Sequence, residues 1–202
     1  MTAQRFIYIN GPARPVRAVA FDLDSTLTKP YLDFTRLRQQ LNLPEGDILQ
    51  WIGTLPLTDQ RRALQIIEAF EQDGVKNAAW NDGAQETVAA IRSLGLATAI
   101  VTRNSRASLL AVCKQLSLEV DLLVAREDAP PKPNPACLHY TAAQFGIAIE
   151  QLVMIGDYRH DTDAGKAAGA MTVLLTNGRI PPWPVEADLV IERLGDVLLY
   201  LA

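Results

Sequence analysis

RAVAFDLD, residues 17–24, is a short apolar run closed by two carboxylates, Asp22 and Asp24, and followed by Ser25 and Thr26. Near-continuous apolar residues belong to strands covered on both faces, the situation of a parallel sheet. Four further runs have the same character: ATAIVT at 97–102, LLVA at 122–125, LVMIG at 152–156 and MTVLLT at 171–176. A shorter one covers 188–191. Between them lie helical patterns at 84–94, at 105–116 after a Ser N-cap, at 134–145 with a Pro in its first turn, and at 162–170, which is Ala-rich. Strands alternating with helices of this length predict βαβ units and a parallel sheet wound right-handedly.

One stretch breaks the alternation. Residues 30–80 carry no strand signal, only helix-like pieces at 31–41, 47–52 and 58–72, the last with Leu64, Ile66, Ile67 and Phe70 on one face. Pro44, Gly53, Pro56 and Gly74 punctuate them. The expected organisation is therefore an α/β core made of residues 1–29 and 81–202. A small all-helical insert, 30–80, lies over the sheet's carboxyl edge.

Composition narrows the function classes. The 202 residues are 49% hydrophobic and 21% charged, which excludes disorder for the bulk of the chain. With 19 Lys plus Arg against 23 Asp plus Glu, a net charge of −4 gives no electrostatic reason to bind nucleic acid or an anionic membrane. Two distant cysteines, Cys113 and Cys137, suit neither a disulfide scaffold nor a zinc site, and fit a reducing compartment. The opening MTAQRFIYINGPARP has no apolar run of signal-peptide length, and no stretch approaches a membrane span. A cytoplasmic, soluble protein is expected, its oligomeric state left open.

In an open α/β sheet, ligands bind outside the carboxyl ends of the strands. The first strand delivers Asp22 and Asp24 to that edge, two residues apart and so on the same side. The second delivers Thr102, followed by Arg103 and Asn104; the third is followed by Lys132 among prolines; the fourth ends in Gly156-Asp157, with Asp161 four residues on. Clustered carboxylates repel one another unless a cation sits among them, and hard oxygen ligands suit Mg²⁺. Such a set can move a phosphoryl group: one carboxylate attacks phosphorus, a neighbour transfers the proton, and Lys and Thr hold the equatorial oxygens.

FDLDSTLT, residues 21–28, resembles the DxDx[TV] motif of the haloacid dehalogenase (HAD) superfamily, mostly Mg²⁺-dependent phosphatases. The similarity continues in order with Thr102, Lys132 and GDYRHD at 156–161, and the helical insert sits where the family's type-one cap is placed. The resemblance implies a HAD-type Rossmann-like parallel sheet with helices on both faces and a small helical cap after the first strand. It implies Asp22 as nucleophile and Mg²⁺ ligand, and Asp24 as general acid/base whose backbone carbonyl also faces the metal. Thr102 and Lys132 would hold the phosphoryl group, and Arg103, where Asn is common, would join them in binding the substrate phosphate. Asp157 would ligate Mg²⁺, and Asp161 would ligate it or orient its water. Ser25 stands where Gly is frequent.

The expected activity is hydrolysis of a small phosphorylated metabolite through an aspartyl-phosphate. Phosphomutases share the four motifs. Cleavage of a C–P bond needs a cap lysine, for which only Lys29 and Lys76 lie at the insert's margins. Dehalogenation does not use an acid/base such as Asp24, and a non-catalytic binding protein would not need intact motifs. His139, and His160 in the loop between motif aspartates, are expected to be structural or solvated, Cys113 and Cys137 to be core thiols, Asp163 to complement a helix dipole, and Trp183 to pack in a loop. Trp51, Arg36, Arg38, Arg61 and Arg62 lie in the insert without an assigned role. Loss of Lys132 is expected to leave the fold intact.

Overall fold

The computed structural model describes residues 5–7, 14–43 and 46–201. Of the opening segment inspected for a signal run, residues 1–4 and 8–13 lie outside it. Two short antiparallel strands come first, β1 (Arg5–Ile7) and β2 (Arg14–Val16), with Phe6 opposite Pro15. No strand was expected before residue 17. Three residues are too few to show alternation, and Pro15 reads against a strand although an edge position tolerates it.

The decisive run forms β3 (Ala18–Phe21), every residue of it buried. Its neighbours are β4 (Ala97–Val101) and β6 (Leu152–Gly156), both parallel, with Ala18 level with Ala97 and with Leu152. Strands β5 (Leu122–Val124), β7 (Met171–Leu175) and β8 (Leu189–Ile191) complete a six-stranded parallel sheet in the order β5-β4-β3-β6-β7-β8. The order reverses around β3, and the crevice at such a switch point is where α/β sheets bind ligands.

Because successive residues of a strand face opposite ways, β3 feeds two cores. Val19 and Phe21 join Ile100, Val153, Ile155 and Val173 on one face, beneath α4 (Ala84–Ser93) and α5 (Arg106–Leu116). Ala18 and Ala20 join Ala99, Val101 and Met154 on the other, against α6 (Ala136–Phe145) and α7 (Arg159–Ala168). Small side chains on this second face let the helices come close. At Gly165 of α7 a Cβ would stand 2.3 Å from Thr172 Cγ2 of β7.

The insert is all-helical: α1 (Phe34–Leu41), α2 (Ile48–Gly53) and α3 (Leu57–Val75). Asp33 and Asp47 cap the first two through their carboxylates. Leu37, Ile52, Ala63 and Ile67 form the insert's own small core, with Leu64, Ile66 and Phe70 half-buried around it. The most buried stripe of α3 is Ala63, Ile67, Glu71 and Gly74, so of the residues the periodicity picked out Ile67 is buried while Leu64, Ile66 and Phe70 are half-buried, and α3 also lies along α5. Among the described residues no helix is long and apolar enough to cross a membrane.

Candidate active site

Asp22 follows β3 directly, its backbone N–H donating to Ile155 O at 2.8 Å, so the sheet ladder itself holds the residue. Beyond it the chain turns sharply, and Ser25 takes a left-handed φ of +60°. That is the conformation a side chain disfavours and Gly accepts, which explains why Ser25 is a departure from the common motif. The turn is held by two asparagines unnoticed in the sequence. Asn177 Nδ2 donates to Ser25 O at 2.8 Å, and Asn81 Nδ2 donates to Thr26 O at 3.1 Å.

Lys132 is 1% exposed, and its Nζ lies 2.6 Å from both Asp22 Oδ1 and Asp161 Oδ1. Burial alone would lower its pKa, but Asp161 and Asp22 outweigh it and hold the ammonium well above the ordinary lysine value. Lys132 is thus a buried internal ion, not the peripheral strand-end lysine expected from sequence, so its removal reaches into the fold. Asp22, Asp157 and Asp161 each offer an oxygen within 4.8 Å of the others. Burial raises the pKa of Asp157 to about 8, with the charges of Asp22, Asp161 and Asp24 adding to the effect. Burial raises that of Asp22 as well, with Lys132 acting against the shift and Asp161 for it. Three crowded carboxylates against one lysine make an all-oxygen donor set still short of positive charge, and that chemistry fits a hard divalent cation.

Gly156 allows the crowding. A Cβ there would stand 2.1 Å from Asp161 Cγ, so the close of β6 admits no side chain opposite that carboxylate. The carboxylate of Asp161 also accepts from Tyr158 N–H at 3.0 Å, which starts α7 at Arg159, three residues before the expected Thr162. His160 therefore sits in the helix's first turn and not in a loop.

Asp24 is raised by burial and by the charge of Asp22. Its Oδ2 accepts from Asn104 Nδ2 at 2.8 Å, while Oδ1 is buried with no hydrogen-bond partner among the described residues. Tyr31, at the start of the insert, faces this carboxyl; burial and then the Asp24 charge push its phenol pKa far up. Thr102 is 3% exposed, and its hydroxyl accepts from Asn104 N–H at 3.1 Å. Asn104 was visible beside Thr102 but had no assigned role; its link to Asp24 spans 80 positions.

Arg103, expected beside the phosphoryl group, makes its ion pair with the insert. Its guanidinium pairs with Asp47 of the cap, Nη2 to Oδ1 2.7 Å, and Asp47 Oδ2 lies 2.9 Å from His160 Nε2. Burial of Asp47 opposes ionisation, but hydrogen bonds from His160, Arg103 and the Gln50 backbone hold its carboxyl far below the usual range. His160, expected to be structural or solvated, is thus part of a cap–core contact, which no local pattern announced. A second such contact joins Glu71 of α3 to Arg126. The remaining candidates lie apart. Lys29 and Lys76 pair with Asp82 and Asp73. His139 is exposed, as are Arg36, Arg61 and Arg62; Arg38 donates to Gly46 O. Trp51 packs on the cap core, Trp183 meets Tyr158 edge-on at 4.7 Å, Asp163 pairs with Arg159, and both cysteines are buried.

Residues 16–169 match the haloacid dehalogenase-like hydrolase family. An uncharacterized hydrolase of Saccharomyces cerevisiae is 33% identical over 172 residues, covering 80% of this chain and 78% of the yeast protein. A phosphoglycolate phosphatase of Colwellia psychrerythraea is 35% identical over 188 residues, covering 78% and 83%. The crystal structure of a hydrolase from Pseudomonas syringae superposes with a TM-score of 0.75 at 20% identity, covering 91% of this chain and 96% of that one, a likeness of fold. With its motif residues gathered at one sheet edge beneath a helical cap, the chain belongs to the haloacid dehalogenase-like hydrolases.

Proposed function

We propose that this hydrolase is a Mg²⁺-dependent phosphatase of small phosphorylated metabolites, working through an aspartyl-phosphate on Asp22. The observation that carries the reading is the shared lysine: Lys132 touches both Asp22 and Asp161 at 2.6 Å inside a carboxylate cluster that remains short of positive charge. Similarity to a phosphoglycolate phosphatase supports a small phosphate ester as substrate. Asp22, Asp157 and Asp161, with the Asp24 carbonyl, would hold the metal. When bound, Mg²⁺ supplies the charge that lets an anionic ester approach these carboxylates.

The protein's own groups do the rest. An oxygen of Asp22 attacks phosphorus as the bond to the leaving oxygen breaks, and Asp24 gives that oxygen its proton. In the second step Asp24 takes a proton from the water that attacks phosphorus, and the Asp22 carboxylate is released with inorganic phosphate. The raised pKa of Asp24 suits a group that must carry a proton near neutrality. Lys132 and Thr102 hold the equatorial oxygens, and Lys132 limits the charge on Asp22 between turnovers. Buried free thiols accord with a reducing, cytoplasmic setting.

Rapid mixing with p-nitrophenyl phosphate tests the scheme. Wild-type protein should turn over with Mg²⁺ and stop in excess chelator. Asp24→Asn should give a burst of at most one equivalent and a phosphorylated species by intact mass, because nitrophenolate leaves without a proton while hydrolysis stalls. Asp22→Asn should give neither. Turnover by Asp22→Asn, or full activity in chelator, would overturn the scheme.

A further inference from the structure

Asp47 stands where the cap passes from α1 to α2. Its Oδ1 accepts from Gln50 N–H at 2.9 Å, capping α2, and the same oxygen lies 2.7 Å from Arg103 Nη2. Its other oxygen lies 2.9 Å from His160 Nε2. Arg103 adjoins Thr102 at the end of β4, and His160 adjoins Asp161 after β6. These two strands flank β3, so a single cap carboxylate ties together the core segments on either side of Asp22. The junction is largely closed to water: the Asp47 side chain is 12% exposed, and those of Arg103 and His160 are 22%. His160 Nδ1 has no hydrogen-bond partner, so the ring's polar anchorage among the described residues is Asp47.

The cap's other attachment is of a different kind. Glu71 of α3 pairs with Arg126, both side chains under 10% exposed, and also accepts from Ser105 N–H at 3.1 Å; Gln72 donates to Ser108 Oγ at 3.3 Å. These contacts lie beside the α3–α5 seam, and the Glu71–Arg126 pair is more buried than the Asp47 junction.

We propose that Asp47 is a positioning residue, a latch that holds the α1–α2 tip over the site and, by the same contacts, orients the segments carrying Thr102 and Asp161. The tip is then a unit that comes free while α3 stays fixed to the core. The exchange measurement below does not depend on the phosphatase reading; the kinetic one does.

Hydrogen–deuterium exchange on the full chain tests the latch, using Asp47→Asn, Arg103→Gln and the double variant. Asn keeps the helix cap, and Arg103→Gln leaves Asp47 untouched, so lost capping cannot account for a shared effect. Each single change should speed exchange in α2 on the order of tenfold, the loss of a hydrogen bond to a charged group. The double variant should go no further, Arg103→Lys should restore part of the protection, and α3 should stay unchanged throughout. With p-nitrophenyl phosphate and saturating Mg²⁺, kcat of each single variant should fall about tenfold while KM moves less than about threefold, the mark of lost alignment in the transition state. Unchanged α2 exchange in both singles, or equal acceleration of α2 and α3, refutes the latch. Faster α2 exchange with unaltered kcat refutes the positioning role. If exchange behaves as expected but wild-type protein hydrolyses no ester, the phosphatase reading fails and the latch stands.

Discussion

Glu71 of the cap and Arg126 of the core meet inside the protein, Oε1 to Nη1 2.5 Å, with side chains 5% and 9% exposed. Breaking a buried pair by removing one partner strands the other charge in a poor solvent, whereas replacing both with apolar groups of similar size is close to neutral. Glu71→Ala should therefore destabilise the protein by about 3–5 kcal/mol in urea unfolding. The double change Glu71→Leu/Arg126→Met should recover most of that loss. Equal losses in the single and double variants would mean that packing along α3, not the charge, fixes the cap.

Lys132→Ala removes the cation between Asp22 and Asp161. The expected cost is a fall in kcat/KM on the order of 10²–10³, together with a lower melting temperature in chelator. Mg²⁺ should restore more of the melting temperature in this variant than in wild type, since a divalent cation relieves the same repulsion. Melting unaffected by either change would show that Lys132 is not the cluster's counter-charge.

Gly156→Ala tests the space opposite Asp161. An added methyl within 2.1 Å of the carboxylate forces Asp161 to move, and with it the group shared with Lys132. Activity should fall at least about 10²-fold, in line with misplacement on the ångström scale. Near-normal activity would mean that the end of β6 yields without disturbing the cluster.

Ser25→Gly should be neutral or should stabilise the protein by up to about 1 kcal/mol, because φ +60° strains any residue with a Cβ. Ser25→Val should lose about 1–2 kcal/mol in the same urea titration. A clear loss in the glycine variant would show that the hydroxyl, not the backbone, is what the position needs.

Asp47 gives a pH signature. Its folded-state pKa is held below the unfolded value, so its contribution to stability is fully present above the ordinary carboxylate pKa near 3.8. That contribution is lost as pH falls through the folded value. The stability gap between wild type and Asp47→Asn should hold steady from about pH 7 to 5 and narrow below about pH 4. A gap independent of pH down to about pH 2 would contradict ionic pairing with Arg103.

The parallel sheet was legible because burial on both faces writes itself as unbroken apolar runs, and the four motif positions followed because strand ends are where such sheets bind. What escaped reading was long-range and polar. Asp47 finds Arg103 across 56 positions and Glu71 finds Arg126 across 55, and neither partner lies on a periodic pattern. The burial of Lys132 escaped for a related reason: a lysine between prolines reads as a loop until its carboxylates are placed around it. The first turn of α7 was missed because Thr162 is a better N-cap residue than Tyr158, while the carboxylate of Asp161 supplies the acceptor from inside the helix.

The position of β3 at the centre of the sheet has a bearing on how the chain is made. The strand is synthesised before the cap, before β4 and well before β6, so neither of its ladder partners exists when it emerges. Asp22 and Lys132 are 110 residues apart, an interval of roughly 5–20 s at ribosomal speeds of about 5–20 residues per second. Until β4 is made, within that interval, a fully apolar strand has both hydrogen-bonding edges open, and the β6 edge stays open longer still, the condition in which nascent chains pair with the wrong neighbour. Its flanking charges are Arg17 at one end and Asp22 and Asp24 at the other. The pair of aspartates that crowds the finished site thus serves, in the unfinished chain and together with Arg17, to keep that strand in water.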